Sequence, residues 1–225
     1  MDGILVVNKP QGITSHDVVD IVRRLYGTRK VGHAGTLDPM ATGVLIMLIG
    51  KATKSSQDLS AEEKEYDATL TLGARSATGD AWGVMEPSGK AVDFTDDQII
   101  SAFKKFEGEI DQMPPAYSAK KINGVKMYHM ARRGQSIAAK PQKIVIKELF
   151  VSKIALPEVT FKLTCSKGTY VRQLCVDIGE ALGVGGYLSR LVRTRSGDFA
   201  IDQASSLEEL KKMDTAALND RLLRL

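Results

Sequence analysis

The fifteen-residue run Val31-Gly-His-Ala-Gly-Thr-Leu-Asp-Pro-Met-Ala-Thr-Gly-Val-Leu45 constrains this chain more than any other part of it. Gly32, Gly35 and Gly43 open backbone angles closed to other residues, and Pro39 fixes its own φ and holds Asp38 extended before it. Such a loop aims one carboxylate, Asp38, and leaves room for a flat ligand to come close. His33 is the only histidine near it in sequence. A second reading stays open on these residues alone: a tight turn in which Asp38 bonds local amides.

A chain of 225 residues can bury one substantial core, and no stretch is marked as a linker, so a single domain spanning 1–225 is expected. Its 43% hydrophobic and 26% charged residues are those of an ordinary globule. The longest apolar stretch, Val44 to Ile49, is too short to span a bilayer. The first residues lack the basic start and cleavage site of a secretory signal. Two cysteines, Cys165 and Cys175, make neither a disulfide framework nor a zinc site. A cytoplasmic protein with no membrane association is expected.

The net charge of +4 is mild, but its distribution is uneven. From Ser118 to Lys147 there are eight Lys or Arg and no Asp or Glu. Lys167, Arg172, Arg190, Arg193 and Arg195 make a second basic cluster. These residues are either a solvated face or a track for a phosphate backbone.

Ile4 to Val7 reads as a short strand ending in the turn Asn8 to Gly12. Ser15 is expected to cap a helix with an apolar stripe of Val18, Ile21, Val22 and Leu25, stopped by Gly27. Val44 to Ile49 fits a buried strand or the core of a short helix, which periodicity cannot separate. Tyr66 to Leu72 alternates as a half-buried strand, and Gly73 to Gly89 reads as a loop holding Trp82. Thr95 and Gln98 form a capping box for a helix burying Ile99, Phe103 and Phe106. A short helix is expected near Tyr128 to Arg133, with strands at Lys143 to Ile154 and Val159 to Cys165. Gly168 to Arg172 opens a helix with the stripe Val171, Leu174, Cys175, Ile178 and Leu182, and Ser206 with Glu209 starts a last helical region. Strands and helices do not alternate regularly, so the fold class is α+β.

Most familiar site types have no seat here. The histidines His16, His33 and His129 lack metal spacing, and no His-Glu-x-x-His, paired Cys-x-x-Cys, phosphate loop or dinucleotide fingerprint occurs. An isolated carboxylate can act as a nucleophile through a covalent intermediate. A glycosidase of the usual kind would want a second carboxylate facing it, and the loop supplies none.

Gly32-His33-Ala-Gly-Thr-Leu-Asp38-Pro39, Asn8-Lys9-Pro10-Gln-Gly12, Lys64-Glu-Tyr66, Pro114-Pro-Ala-Tyr-Ser-Ala119 and Lys167-Gly-Thr-Tyr170-Val-Arg172 together resemble the TruB family of tRNA pseudouridine-55 synthases. The five motifs fall in the family's order and cover nearly the whole chain. The resemblance implies a pseudouridine synthase fold, with a mixed, largely antiparallel central sheet flanked by helices. It implies isomerisation of the T-loop uridine at position 55 of tRNA, without metal or cofactor. Asp38 matches the family's catalytic aspartate and Arg172 the residue that pairs with it. Such a pair keeps a buried acid ionised, and losing one partner costs about 3–5 kcal/mol. Tyr66 matches the tyrosine that stacks on the target base, a contact worth roughly 1–3 kcal/mol. Tyr170 lines the same pocket, and Leu191, in Tyr187-Leu-Ser-Arg-Leu-Val-Arg193, packs against it. His33 matches a residue that fills the gap when the uridine leaves its stack, and Lys9 and Pro10 support the catalytic loop.

The partner so implied is the T-arm stem-loop of tRNA, bound by a monomer by default, with the basic stretch along the T-arm. Most bacterial relatives continue into a C-terminal PUA domain, which this chain is expected to lack. Two rival readings remain: an RNA-binding and tRNA-refolding protein with secondary or no catalysis, and a guide-RNA-dependent synthase. If the basic stretch tracks phosphates, binding of a T-arm stem-loop should weaken roughly 10- to 1,000-fold between about 50 and 200 mM salt. A filter-binding series that stays flat across that range would remove the phosphate-track reading.

Overall fold

A computed structural model describes residues 2–118, 120–122, 124–133 and 139–224, and in it the apolar run from Val44 to Ile49 is strand, not helix. Of the basic stretch, residues 119, 123 and 134–138 lie outside the described residues. The chain divides into two compact units, Met1–Asp67 with Leu191–Leu225, and Ala68–Arg190.

The first unit begins with β1 (Gly3–Lys9), α1 (Ser15–Tyr26), β2 (Val31–Ala34) and β3 (Thr42–Ile49). A 3-10 helix at Gly50–Ser55, α2 (Ser56–Ala61) and the start of β4 (Lys64–Leu72) follow. β1 pairs antiparallel along the whole of β3, from Gly3 opposite Ile49 to Lys9 opposite Gly43. Val44 to Ile49 are all fully buried, so β3 reads as an unbroken apolar run rather than an alternating one. One face of this sheet carries the cluster Ile4, Val6, Ala34, Val44, Ile46, Leu48 and Ala52.

The second unit takes up the rest of β4 and continues with β5 (Ala74–Ser76), β6 (Met85–Pro87), α3 (Asp96–Lys104) and β7 (Gly108–Gln112). The short pair β8 (Lys121–Ile122) and β9 (Val125–Lys126) precedes α4 (Met127–Arg132), β10 (Gln142–Ala155), β11 (Glu158–Cys165) and α5 (Val171–Ala181). Its sheet order is β4-β11-β10-β7, with β10 antiparallel to both neighbours. α3 packs on β10 and α5. Phe103 of α3 meets Phe161 of β11 edge to face, with ring centroids 5.3 Å apart.

β12 (Gly186–Ser196) leads back into the first unit, followed by β13 (Phe199–Ala200), a 3-10 helix at Ile201–Gln203, β14 (Ser205–Ser206), α6 (Leu207–Lys212) and α7 (Thr215–Asp220). There the order is β14-β1-β3-β12. The second edge of β3 is shared. β2 pairs with it antiparallel over Ile46 to Ile49, and β12 pairs with it parallel at Thr42 and Gly43. The α+β class and the mixed, mostly antiparallel sheet are therefore as expected from the sequence.

Four local expectations need correcting. Thr14, not Ser15, caps α1: its hydroxyl accepts from the Asp17 N–H at 3.1 Å and Asp17 returns the bond. Ser15 is buried one residue further on. The inner face of α1 is accordingly Val18, Val19, Val22 and Tyr26, with Ile21 and Leu25 half-buried. Residues 73–89 contain the β5–β6 hairpin, and Trp82 between its strands is 53% exposed. β12 went unseen because its arginines, at 190, 193 and 195, break the apolar pattern that marks a strand.

Gly43 has φ of +99°, and a Cβ there would meet the Arg193 carbonyl oxygen at 2.2 Å. Gly43→Ala should therefore lower unfolding stability by about 3 kcal/mol or more, through strain and overpacking. Urea denaturation measures this, and parental stability in the variant would contradict the β3–β12 register.

Candidate active site

Asp38 stands on the connection from β2 to β3, where β3 exchanges one neighbour for the other. It is half-buried, and its own carbonyl accepts from the Ala41 N–H at 3.0 Å. The loop is clasped to the start of α1. Lys9 is fully buried, and its ammonium donates to the carbonyls of Pro10 and Ile13, each at 2.8 Å, and of Pro39 at 3.4 Å. The Gly12 N–H donates to the same Pro39 carbonyl at 2.9 Å. Ser15 Oγ donates to the Leu37 carbonyl at 3.0 Å and accepts from the Leu37 N–H at 2.9 Å. So the hydroxyl expected to cap a helix instead fixes the residue before Asp38.

Burial pushes the Lys9 ammonium down to about 8, against the attraction of Asp38 and with the help of Arg193. Arg193, 1% exposed, approaches the loop from β12: Nε donates to the Val44 carbonyl at 2.7 Å and Nη2 to the Gly35 carbonyl at 3.0 Å. Two interior cations thus hold the backbone on both flanks of the acid. His33 lies on β2 opposite Met47. Its imidazole pKa is lowered by burial and by the cationic Arg193 and His16, and its Nδ1 is buried without a hydrogen-bond partner. Tyr66 on β4 is 8% exposed and Leu191 on β12 is 6% exposed. Lys9, Pro10, His33, Asp38, Tyr66 and Leu191 all belong to the first unit.

Tyr170 and Arg172 belong to the second unit, at the start of α5. Arg172 is only 4% exposed. Its Nη1 donates to the Thr78 carbonyl at 2.8 Å, its Nη2 to the Tyr117 carbonyl at 3.1 Å, and its Nε lies 3.8 Å from an Asp80 carboxylate oxygen. Asp80 is itself buried and held by the Thr78 hydroxyl at 2.6 Å and the Trp82 N–H at 3.1 Å. The second basic cluster expected from sequence is therefore not one surface. Arg172 and Arg193 are interior, and Arg195 is engaged by Glu65 at 2.5 Å. A guanidinium tolerates burial when carbonyls and a carboxylate occupy its donors.

Sequence reasoning missed Asp80, Arg193 and Ser15. Asp80 looked like one more turn residue in a glycine-rich loop, Arg193 like a surface cation, and Ser15 like a cap. Only the pairing of distant strands separates such roles. Small residues around Arg172 leave a cavity of about 150 Å³ lined by Thr78, Gly79, Tyr117, Gln173 and Val176 among others. Among the described residues, no group of three or more His, Cys, Asp or Glu could hold a metal ion, and no helix is long and apolar enough to cross a membrane.

Residues 23–171 match the family model described as TruB family pseudouridylate synthase (N terminal domain). Residues 172–224 match that of the tRNA pseudouridylate synthase B C-terminal domain. A relative named tRNA pseudouridine synthase B from Syntrophotalea carbinolica is 46% identical over 213 residues, covering 95% of this chain and 70% of the relative. One of the same name from Burkholderia mallei is 45% identical over 226 residues, covering 100% of this chain and 73% of the relative. A chain in the crystal structure of a Cbf5-Nop10-Gar1 complex superposes with a TM-score of 0.73 at 34% identity, over 92% of this chain and 52% of that one. Another, from an H/ACA RNP bound to a substrate RNA containing 2'-deoxyuridine, gives 0.69 at 32% identity, over 92% and 51%. The chain thus spans about half the length of those two solved chains.

Lys9→Met should cost about 2–4 kcal/mol, because it strands the Pro10 and Ile13 carbonyls and leaves that of Pro39 with the Gly12 N–H alone. The ammonium's folded value of about 8 lies below its ordinary 10.5. Between those two values the unfolded chain holds the extra proton, so the parent should gain stability over the variant as pH rises through that window. Paired urea titrations at several pH values measure both effects, and a gap that narrows with rising pH would contradict the buried ammonium.

Proposed function

Since the chain belongs to the TruB family of pseudouridylate synthases, we propose that it isomerises the T-loop uridine at position 55 of tRNA to pseudouridine, with Asp38 as the reacting carboxylate. The observation that carries the reading is Asp38 itself, half-buried on a loop whose backbone is tied down by Lys9, Gly12, Ser15 and Arg193. A carboxylate aimed so firmly suits a reaction in which one atom of the substrate must be met at one angle.

The chemistry is a redox-neutral rearrangement. The N1–C1′ bond of uridine breaks, a C5–C1′ bond forms, C5 gives up its proton to solvent, and N1 takes one up. The reacting atoms are hidden in a stacked base, so the nucleotide must first be everted. In this reading Tyr66 stacks on the everted base, Leu191 packs beside it, and Tyr170 and Arg172 contact the same nucleotide. His33 takes the place the base has left. A partly buried imidazole held toward its neutral form stacks in an RNA helix at little desolvation cost. Lys9 and Pro10 hold the loop rather than the substrate. The enzyme acts as a monomer in the cytoplasm on the T-arm, within one catalytic domain and without a cofactor.

Release of tritium from uridine C5 in a T-arm stem-loop tests reaction and substrate together. Asp38→Asn should abolish release while leaving RNA affinity within about threefold, because the variant loses a reacting group rather than binding surface. Wild-type release by the variant would refute the assignment of Asp38. Tight RNA binding with no release by the parent would favour the RNA-refolding alternative.

A further inference from the structure

Gln112, the last residue of β7, and Gln142, the first of β10, face each other in the sheet register. Both side-chain amides reach the turn that precedes α5. Gln112 Oε1 accepts from the Tyr170 N–H at 2.8 Å, and Gln112 Nε2 donates to the Tyr170 carbonyl at 3.0 Å. Gln142 Nε2 donates to the Gly168 carbonyl at 2.7 Å, while Gln142 Oε1 accepts from Lys120 Nζ at 3.1 Å. Gln112 is 1% exposed. Tyr170 stands at the N-cap of α5 in an extended conformation and provides no side-chain cap of its own.

A helix start without its own cap is held by whatever satisfies its backbone from outside. Here a planar amide does so, offering one acceptor and one donor to the two polar groups of a single residue, as a neighbouring strand would. The geometry is selective. A carboxylate of the same shape would face the Tyr170 carbonyl with a second acceptor, and an asparagine is one methylene too short.

We propose that Gln112, assisted by Gln142, is a positioning residue for the reaction. By fixing both backbone groups of Tyr170 it sets the direction in which α5 begins, and with it the stance of the Tyr170 ring and the Arg172 guanidinium two residues on. The inference rests on the reading above that these two side chains meet the reacting nucleotide. Arg172 already has donors committed to two carbonyls and lies 3.8 Å from Asp80, so a small shift of the helix start cannot be absorbed by a flexible side chain. A purely structural glutamine would act otherwise: its loss would lower stability, but each folded molecule would react at the parental rate.

The test uses the full chain and the tritiated T-arm stem-loop. Single-turnover rates at saturating RNA, RNA affinity, urea stability and amide hydrogen exchange are measured for the parent, Gln112→Met, Gln112→Glu and Gln142→Met. For Gln112→Met the rate per folded molecule should fall about 10- to 100-fold with affinity within about threefold, because two buried hydrogen bonds at a reacting centre are lost. Exchange should rise in the peptide over residues 168–174 and not in β10 or β11. Gln112→Glu, which sets a second acceptor against the Tyr170 carbonyl, should lose at least as much as Gln112→Met, and Gln142→Met should lose about threefold, as one half-exposed bond warrants. Rates within about twofold of the parent for Gln112→Met and Gln142→Met would overturn the proposal. If Gln112→Met does not fold, Gln112→Glu and Gln142→Met decide by the same criterion. A parent that releases no tritium sinks the functional reading; an active parent with unaltered variants sinks this inference alone.

Discussion

A single buried ammonium organises the first unit. Moving the Lys9 charge out of water is costly, and it persists in the interior only because three carbonyls and the field of Asp38 stand where the hydration shell was. Two of those carbonyls, from Pro10 and Ile13, lie on the turn before α1, and the third belongs to Pro39, beside the acid. One donor group therefore ties two loops together, and any drift of the Asp38 loop would leave a buried charge short of a partner. The loop is stiff because the alternative is an unsatisfied ion, and this explains how a segment so rich in glycine can hold one carboxylate still.

Arg193 repeats the principle from the other side. It comes in on β12 and takes the Gly35 and Val44 carbonyls, which flank the loop at its two ends. Parallel pairing of β12 with β3 at Thr42 and Gly43 brings it there, and the absent side chain of Gly43 lets the two backbones approach. In the second unit Arg172 is placed in the same manner, with carbonyls from Thr78 and Tyr117 and the carboxylate of Asp80. Buried cations here are brackets for backbone, and their geometry is inherited from the strands and helices that carry them. The amides of Gln112 and Gln142 do for α5 what the ammonium of Lys9 does for the Asp38 loop, without the cost of burying a charge.

Much of this was legible in the residues. Capping boxes at Thr95 and Ser206 announced two helices, because a hydroxyl and an acid or amide three residues on satisfy each other locally. The strand β4 showed itself through alternation from Tyr66 to Leu72, and Asp38 stood out by its company of small residues and proline. Where the reading slipped, the deciding partner was far away in sequence. Ser15 looks like a cap until Leu37 is found beside it. Arg193 looks like surface charge until β12 is seen to run next to β3.

The sequence alone settled the α+β class and the family, because these depend on local pattern and on motifs whose order is read along one chain, and it singled out Asp38 as the candidate acid. Tertiary structure alone decided which cations are interior, that Val44 to Ile49 is a strand, and that Asp80 and Gln112 stand behind Arg172 and Tyr170. The reason is physical. A charge or amide is assigned its role by the groups that replace water around it, and those groups come from strands and loops tens of residues away.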